Sequence, residues 1–346
     1  MTATDDKSRL VSHGFPARNN APEFKREPDK SRPRRAWFHD YCAPAYYHIT
    51  ATTIEGSPLL STLPVGAVSA LQKEALIYPV LSELGKKIET ELLSISSFHP
   101  EIRLLQYVIM PDHIHFALHV KERLKKMLGY ELAGFFGACS RHYNRIYSLP
   151  EFKSLFSTFH DRLIFNYSQL EKVMAYIRDN PRRAIIKRNN PALFRRYLHL
   201  NVGNQEYAVF GNIFLLRHYN LMPVRIHRKW SNAEFAVYED ECMRKVSHGA
   251  IPVSPFIHPA EKKIMRQTLE MGGSVIRLTD CGFEDRFKPR GKDFEICSEG
   301  RLLLMAPWPQ NVGRKSTAGY KEFNTMNDLA AAIASMPPET RLTLKK

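Results

Sequence analysis

The chain has 346 residues, with 50 Lys plus Arg against 35 Asp plus Glu, a formal net charge of +15 and a hydrophobic fraction of 44%. These figures exclude a wholly disordered or fibrous chain, and the lack of any apolar run near the ~18 residues of a membrane span argues against a transmembrane role. Five cysteines without a CxxC pair, and no apolar leader in the first 30 residues, lead us to expect a cytoplasmic, nucleoid-associated protein whose partner is a polyanion, nucleic acid first.

In chain order, residues 1–36 are polar, basic and punctuated by proline, which predicts a disordered arm. Tyr46–Thr53 is rich in aromatic and β-branched residues and reads as a strand. Residues 67–94 have helical period interrupted by Pro79, which predicts two helices or one kinked helix. Ile102–Met110 and His113–Val120 read as strands joined at Pro111-Asp112, Lys126–Tyr147 as a helix, Ser157–Phe165 as a strand and Ser168–Asn180 as a helix. The order β-α-β-β-α-β-α predicts an α+β, ferredoxin-like split βαβ catalytic domain over 37–200, its antiparallel sheet lying under two helices with the other face free for a site. Beyond it, 201–346 carries short apolar strands at 250–254, 274–278 and 302–306, with helices at 260–271 and 326–336. This pattern predicts a small α/β domain with parallel pairing.

The charge is spread along the chain, with 9 basic against 5 acidic residues in 1–36, 20 against 14 in 37–200 and 21 against 16 in 201–346. Its densest run is 178–196, where seven Arg and Lys side chains face the single acid Asp179.

In the strand from His113, the residues Ile114, Phe116, Leu118 and Val120 form one apolar face, which sends His113, His115, Ala117 and His119 to the other. His113 and His115 are then about 6.6 Å apart along the strand, within reach of one metal ion, while His119 at about 13 Å from His115 is too far. Two histidines on a solvated strand face fit this spacing equally well.

On the last helix of the first domain, a Ser168-x-x-Glu171 capping box predicts the start and Asn180-Pro181 the end. Leu170, Val173 and Ile177 supply the buried stripe. Lys172, Tyr176 and Asn180, spaced by four, line an adjacent face. A tyrosine with an ordinary pKa near 10 is about 0.1% ionised at pH 7, so as a nucleophile it needs an activated electrophile or a base. Two imidazoles and an amide oxygen would hold Mg2+ or Mn2+ against a phosphodiester, and attack by Tyr176 would give a phosphotyrosine and a free 3′-hydroxyl. Tyr167 and Tyr143 are the fallback nucleophiles, and an amphipathic or core role for Tyr176 is the competing reading.

The stretch Tyr107-Val-Ile-Met-Pro-Asp-His-Ile-His115 resembles the histidine-hydrophobe-histidine (HUH) motif of single-strand transposases. Tyr176-Ile-Arg-Asp-Asn-Pro181 resembles the nucleophile helix of REP-associated tyrosine transposases, and Phe159-His-Asp-Arg162 also fits that family. Asp112 stands where the family usually has asparagine. The resemblance spans about 37–200, and 201–346 is extra. It implies His113, His115 and Asn180 as metal ligands and Tyr176 as nucleophile. It further implies cleavage and joining of single-stranded DNA near a hairpin through a 5′-phosphotyrosine. Lys172, Arg178, Arg182, Arg183, Lys187 and Arg188 would then bind DNA phosphates, with Phe194 and Tyr197 either stacking bases or packing in the core. Whether the protein acts as a monomer or a homodimer is open. The alternative function is a catalytically silent DNA-binding regulator derived from a transposase.

The C-terminal region, through Val253-Ser-Pro-Phe-Ile-His-Pro-Ala-Glu261 and Gly300-Arg-Leu-Leu-Leu-Met-Ala-Pro-Trp308, is faintly similar to the Rossmann-like fold of DNA-processing protein A. The turn at 254–259 opens a helix whose N-terminus could accept a phosphate or could be a structural loop. An accessory single-strand-binding or protein-contact module without catalytic residues is expected there.

Overall fold

The computed structural model describes residues 39–64, 76–227, 229–284, 287–308 and 319–342. The predicted arm at 1–36 and the start of the predicted helix at 67–75 lie outside them. The chain is mixed α+β and divides into two compact units, which over the described residues run to Ile185 and from Ile186 onward. Among the described residues no helix is long and apolar enough to cross a membrane.

The first unit contains β1 (Ala45–Thr53), the short strands β2 (Ser61–Thr62) and β3 (Val80–Leu81), α1 (Glu83–Phe98), β4 (Ile102–Ile109), β5 (His113–Val120), α2 (Leu128–Glu131), α3 (Ala133–Ile146), β6 (Phe156–Ile164) and most of α4 (Tyr167–Asn189). Its main sheet has the order β4-β5-β1-β6, antiparallel throughout. One face is the core: Tyr47, Ile49 and Ala51 of β1 and Ile114, Phe116, Leu118 and Val120 of β5 are buried with Ile88 and Leu92 of α1 and Phe135 of α3. Period-two alternation leaves His48, Thr50, His113 and His115 on the reverse face.

One local expectation is resolved between its two forms, and two are corrected. Residues 76–82 are not helical and α1 starts at Glu83, so of the two expected forms no kinked helix runs through Pro79. Ser82 caps this start, its side-chain oxygen accepting from the Gly85 N–H at 3.0 Å. Helix α4 is capped by Asn166 and Gln169 rather than by Ser168 and Glu171. Asn166 Oδ1 accepts from the Gln169 N–H, and Gln169 Oε1 accepts from the Phe165 N–H, both at 2.9 Å. Strand β6 ends at Ile164, so the earlier of the two Asx/Ser-x-x-Gln/Glu patterns meets the chain as it turns. Helix α4 also continues through Pro181. Proline there removes one backbone hydrogen bond and crowds the preceding turn. Asp179 bridges the break to Arg182 and Arg183, and Ile185 and Ile186 are buried beyond it.

The reverse face of the sheet is not left wholly free. Helix α4 lies on it, with Ile177 packed among Val108, Met110 and Ala117, and Leu170 against Tyr46 and Ile164. The stripe read from the sequence therefore buries itself on the histidine side of the sheet, and this brings Tyr176 there.

The second unit has β7 (Arg196–Val202), β8 (Gln205–Gly211), β9 (Leu221–Pro223), α5 (Asn232–Ser247), β10 (Ile251–Ser254), α6 (Pro259–Glu270), β11 (Val275–Leu278), α7 (Lys292–Ser298), β12 (Leu302–Ala306), α8 (Tyr320–Ser335) and α9 (Pro338–Arg341). Its six strands run β7-β8-β12-β11-β10-β9. β9 to β12 are parallel, and the β7-β8 hairpin adds antiparallel to β12. Every residue of β10 and β12 is buried, which is why these strands read as continuous apolar runs. Leu303 and Met305 face Met326 and Ile333 of α8, whereas Leu302 and Leu304 join Val246, Ile264 and Cys297 of α5, α6 and α7. Residues 196–200, placed in the first domain from sequence, open β7 of this second sheet.

Candidate functional site

Strand β5 is paired with β1 so that Thr50 is opposite His115 and Thr52 opposite His113. Directly opposite residues share a face, so β1 and β5 jointly build the floor of the site. The His113 and His115 rings are 4.8 Å apart, centroid to centroid, and the Tyr176 ring lies in T-shaped geometry 5.5 Å from His115 and 6.2 Å from His48. The structure thus brings together the two histidines and the tyrosine that the sequence singled out on separate elements.

Each imidazole is held at Nδ1. His113 Nδ1 is 2.6 Å from Asp112 Oδ1, while His115 Nδ1 is 2.8 Å from Thr50 Oγ1 and 3.2 Å from His48 Nε2. An ionised carboxylate only accepts, so the Nδ1 of His113 carries the proton, and in the neutral ring the lone pair sits on Nε2. That is the state a metal ligand requires, with the carboxylate-histidine pairing common behind such ligands. The pair therefore fits a divalent cation. Among the described residues no group of three or more His, Cys, Asp and Glu side chains is arranged to hold a metal ion, so oxygen donors, such as an amide and a phosphate, would have to complete the ligand set.

Asn180 lies one turn beyond Tyr176 and is 7% exposed, against 37% for Tyr176. Each four-residue step rotates an α-helix by about 40°, which carries the row from exposed Lys172 through Tyr176 to a buried Asn180.

The basic residues separate into different settings. Lys172 and Arg178 are exposed on α4. The Arg183 guanidinium lies 5.8 Å from the Tyr176 ring centroid and 3.9 Å from Asp179. Arg182 is only 3% exposed, and its Nε and Nη2 donate to Asp179 at 2.6 and 3.2 Å, so the structure places it in the interior rather than on a DNA-facing surface. Lys187 and Arg188 fall within the second unit, where Lys187 lies 5.9 Å from the Phe294 ring and Arg188 is exposed. Phe194 packs at 5.1 Å on Phe294, and Tyr197 is covered by Arg195 at 4.9 Å. Of the fallback tyrosines, Tyr143 packs against the core on the opposite side of the sheet, and Tyr167 opens α4.

Sequence reasoning missed His48 and Thr50. The alternation of β1 marks their face, but only strand pairing shows that this face meets His115. Burial, helped by Arg162, pulls the His48 pKa down to about 4. His119 behaves similarly. It stacks flat on Tyr46 at 4.0 Å, and burial, with Arg103 and Lys121 nearby, lowers its pKa to about 4.

A histidine of the unfolded chain titrates near 6.5 and takes up a proton that the folded state refuses. The contribution of His119 to stability is therefore complete above pH ~6.5 and is lost as pH falls toward 4. His119→Phe, which keeps the stack, is expected to flatten the loss of stability in urea unfolding between pH 7 and 4.5; an equally steep loss in the variant would remove His119 as its source.

In the second unit, the helix start at 254–259 is already closed. Glu261 Oε2 accepts from the N–H groups of Ile257 and His258 at 2.9 and 3.2 Å, and His258 Nδ1 accepts from Ala260. A carboxylate thus occupies the donors that a phosphate would need, which favours the structural reading of this loop.

No protein-family model matches the chain, and no curated protein matches it. Among solved structures it is similar to a REP-associated tyrosine transposase bound to a REP hairpin, with 12% identity over 43% of this chain and 74% of that one, at a TM-score of 0.29. It is also similar to a candidate transposase from Deinococcus radiodurans R1, with 14% identity over 38% of this chain and 88% of that one, at a TM-score of 0.25.

Proposed function

We propose that the first unit is a metal-dependent, single-strand DNA endonuclease and strand-transferase of the HUH tyrosine type, built on a ferredoxin-like arrangement and acting at hairpin or palindromic DNA. The observation that carries this reading is the meeting of the Tyr176 ring with the His113-His115 pair, 5.5 Å from His115, with the Arg183 guanidinium 5.8 Å from the same ring. The HUH-like and tyrosine-helix motifs that the sequence shows in the same order support it.

The residues take distinct roles. His113 and His115, with Asn180, would hold Mg2+ or Mn2+, which when bound supplies charge against the non-bridging oxygens of a phosphodiester. The Tyr176 oxygen attacks phosphorus as its proton leaves to water, and the O3′–P bond breaks. The departing O3′ takes up a proton, leaving the 5′-phosphate esterified to Tyr176 beside a free 3′-hydroxyl. The reverse attack by a 3′-hydroxyl rejoins strands without a nucleotide cofactor, because the phosphotyrosyl ester conserves the diester bond. Arg183, beside the Tyr176 ring, and Lys172 and Arg178 on the same helix supply positive charge for the strand.

The test is incubation of the full chain with a labelled single-stranded hairpin oligonucleotide and Mg2+ or Mn2+, resolved on a denaturing gel. A shifted, protease-sensitive covalent adduct with release of a 3′-hydroxyl fragment is expected. Tight hairpin binding with no cleavage under either metal would favour the catalytically silent regulator instead.

A further inference from the structure

The two imidazoles of the candidate site are steadied from different parts of the chain. His113 is held by its sequence neighbour Asp112. His115 is held across the sheet from β1, where the register puts Thr50 opposite His115 and His48 opposite Ala117, two residues away on the same face. The Thr50 hydroxyl oxygen is 2.8 Å and His48 Nε2 3.2 Å from one and the same atom, His115 Nδ1. The His115 ring is also flanked by the His113 ring at 4.8 Å, the His48 ring at 5.1 Å and the Tyr176 ring at 5.5 Å. Only 7% of the residue is exposed.

From this geometry we infer that Thr50 and His48 are positioning residues for His115: they hold its Nδ1 as a hydrogen-bond donor, so that Nε2 keeps its lone pair and faces the site. The inference rests on the proposed metal-dependent reading and adds to it a function for β1. The chemistry turns on a single proton. With that proton on Nδ1, Thr50 Oγ1 and the facing nitrogen of His48 are acceptors on either side of it, and Nε2 is available as a ligand. If the Thr50 hydroxyl donated to Nδ1 instead, the proton of the neutral ring would sit on Nε2 and the ligand would be lost. For a ring this buried, solvent offers little alternative partner, so the protein contact decides the tautomer. Partners of this kind behind a metal-binding histidine commonly change affinity about 10–100-fold when removed.

The variants are Thr50→Val, which keeps the shape and strand preference but removes the hydroxyl, Thr50→Ser, which restores it, and His48→Phe. Two measurements are made on the folded full chain: Mn2+ affinity by electron paramagnetic resonance, and the ¹⁵N shifts of the His115 ring in metal-free protein. Expected are a Nδ1–H tautomer in the wild type, loss of its dominance in Thr50→Val with Mn2+ binding about 10–100-fold weaker, a smaller loss in His48→Phe, and recovery of both readouts in Thr50→Ser.

A wild-type ring protonated at Nε2 overturns the inference whatever metal does. Wild-type Mn2+ affinity in Thr50→Val, alongside lost binding in His115→Ala, overturns it while leaving the metal site standing. Mn2+ binding that is unchanged in His115→Ala removes the metal site and the positioning function together.

Discussion

Tyr176→Phe is expected to keep the fold and to lower formation of the covalent protein-DNA adduct by at least about 10³-fold. The change removes one oxygen from a side chain that is 37% exposed, and the ring contacts with His115 at 5.5 Å and Arg183 at 5.8 Å do not need that oxygen. Stability should therefore move by no more than about 0.5 kcal/mol. Hairpin affinity should also stay close to wild type, because the cations proposed to meet phosphate are untouched. Tyr167→Phe and Tyr143→Phe serve as controls. Tyr143 packs on the side of the sheet covered by α1 and α3, away from the histidine face. A full yield of adduct in Tyr176→Phe would place the nucleophile elsewhere and end the reading of α4 as the catalytic helix.

The second large effect concerns stability and separates two functions that the sequence assigned to one basic run. Asp179→Ala should destabilise the first unit by about 2–3 kcal/mol. Breaking a fully buried ion pair from one side costs about 3–5 kcal/mol, and the 29% exposure of the Asp179 side chain lets water recover part of that. Thermal unfolding followed by circular dichroism should register a drop of about 4–12 °C. The cause is specific to this helix: Asp179 ties together the turns on either side of Pro181, where one backbone hydrogen bond is already missing. Arg178→Ala should behave in the opposite way, leaving the melting temperature unchanged and reducing the slope of log affinity against log salt by about 1, the signature of one lost phosphate contact. If Arg182→Met lowered that slope and Asp179→Ala melted like wild type, Arg182 would be a DNA contact after all and the interior assignment would fail.

These two predictions mark where reading the sequence was reliable and where it was not. The strand His113–Val120 was legible to the residue, because the unbroken apolar face of Ile114, Phe116, Leu118 and Val120 at period two can be buried in only one way. The stripe Leu170, Val173 and Ile177 was legible for the same reason at helical period. The start and end of α4 were not. Two cap patterns overlap within five residues, and a proline that usually ends a helix is carried through by an ion pair and by the burial of Ile185 and Ile186. Composition likewise could not sort the basic run, since Arg182 and Arg178 look alike until one is found buried against Asp179 and the other exposed. In the second unit the parallel core strands announced themselves as short apolar runs, but the β7-β8 hairpin did not. Its alternation is broken by a register shift between Tyr197 and Leu200.

By itself, the sequence determined the local chemistry of this protein: a histidine pair on one strand face, a tyrosine on an amphipathic helix, an α+β order of elements and an excess of positive charge. Those follow from side-chain type and periodicity, which are properties of short segments. Only the tertiary structure decided that the helix lies on the histidine face, that Thr50 and His48 stand behind His115, and that Arg182 is turned inward. Each of those depends on the pairing of β1 with β5 and on the packing of Ile177 against Ala117, contacts between residues some sixty positions apart that no local pattern encodes.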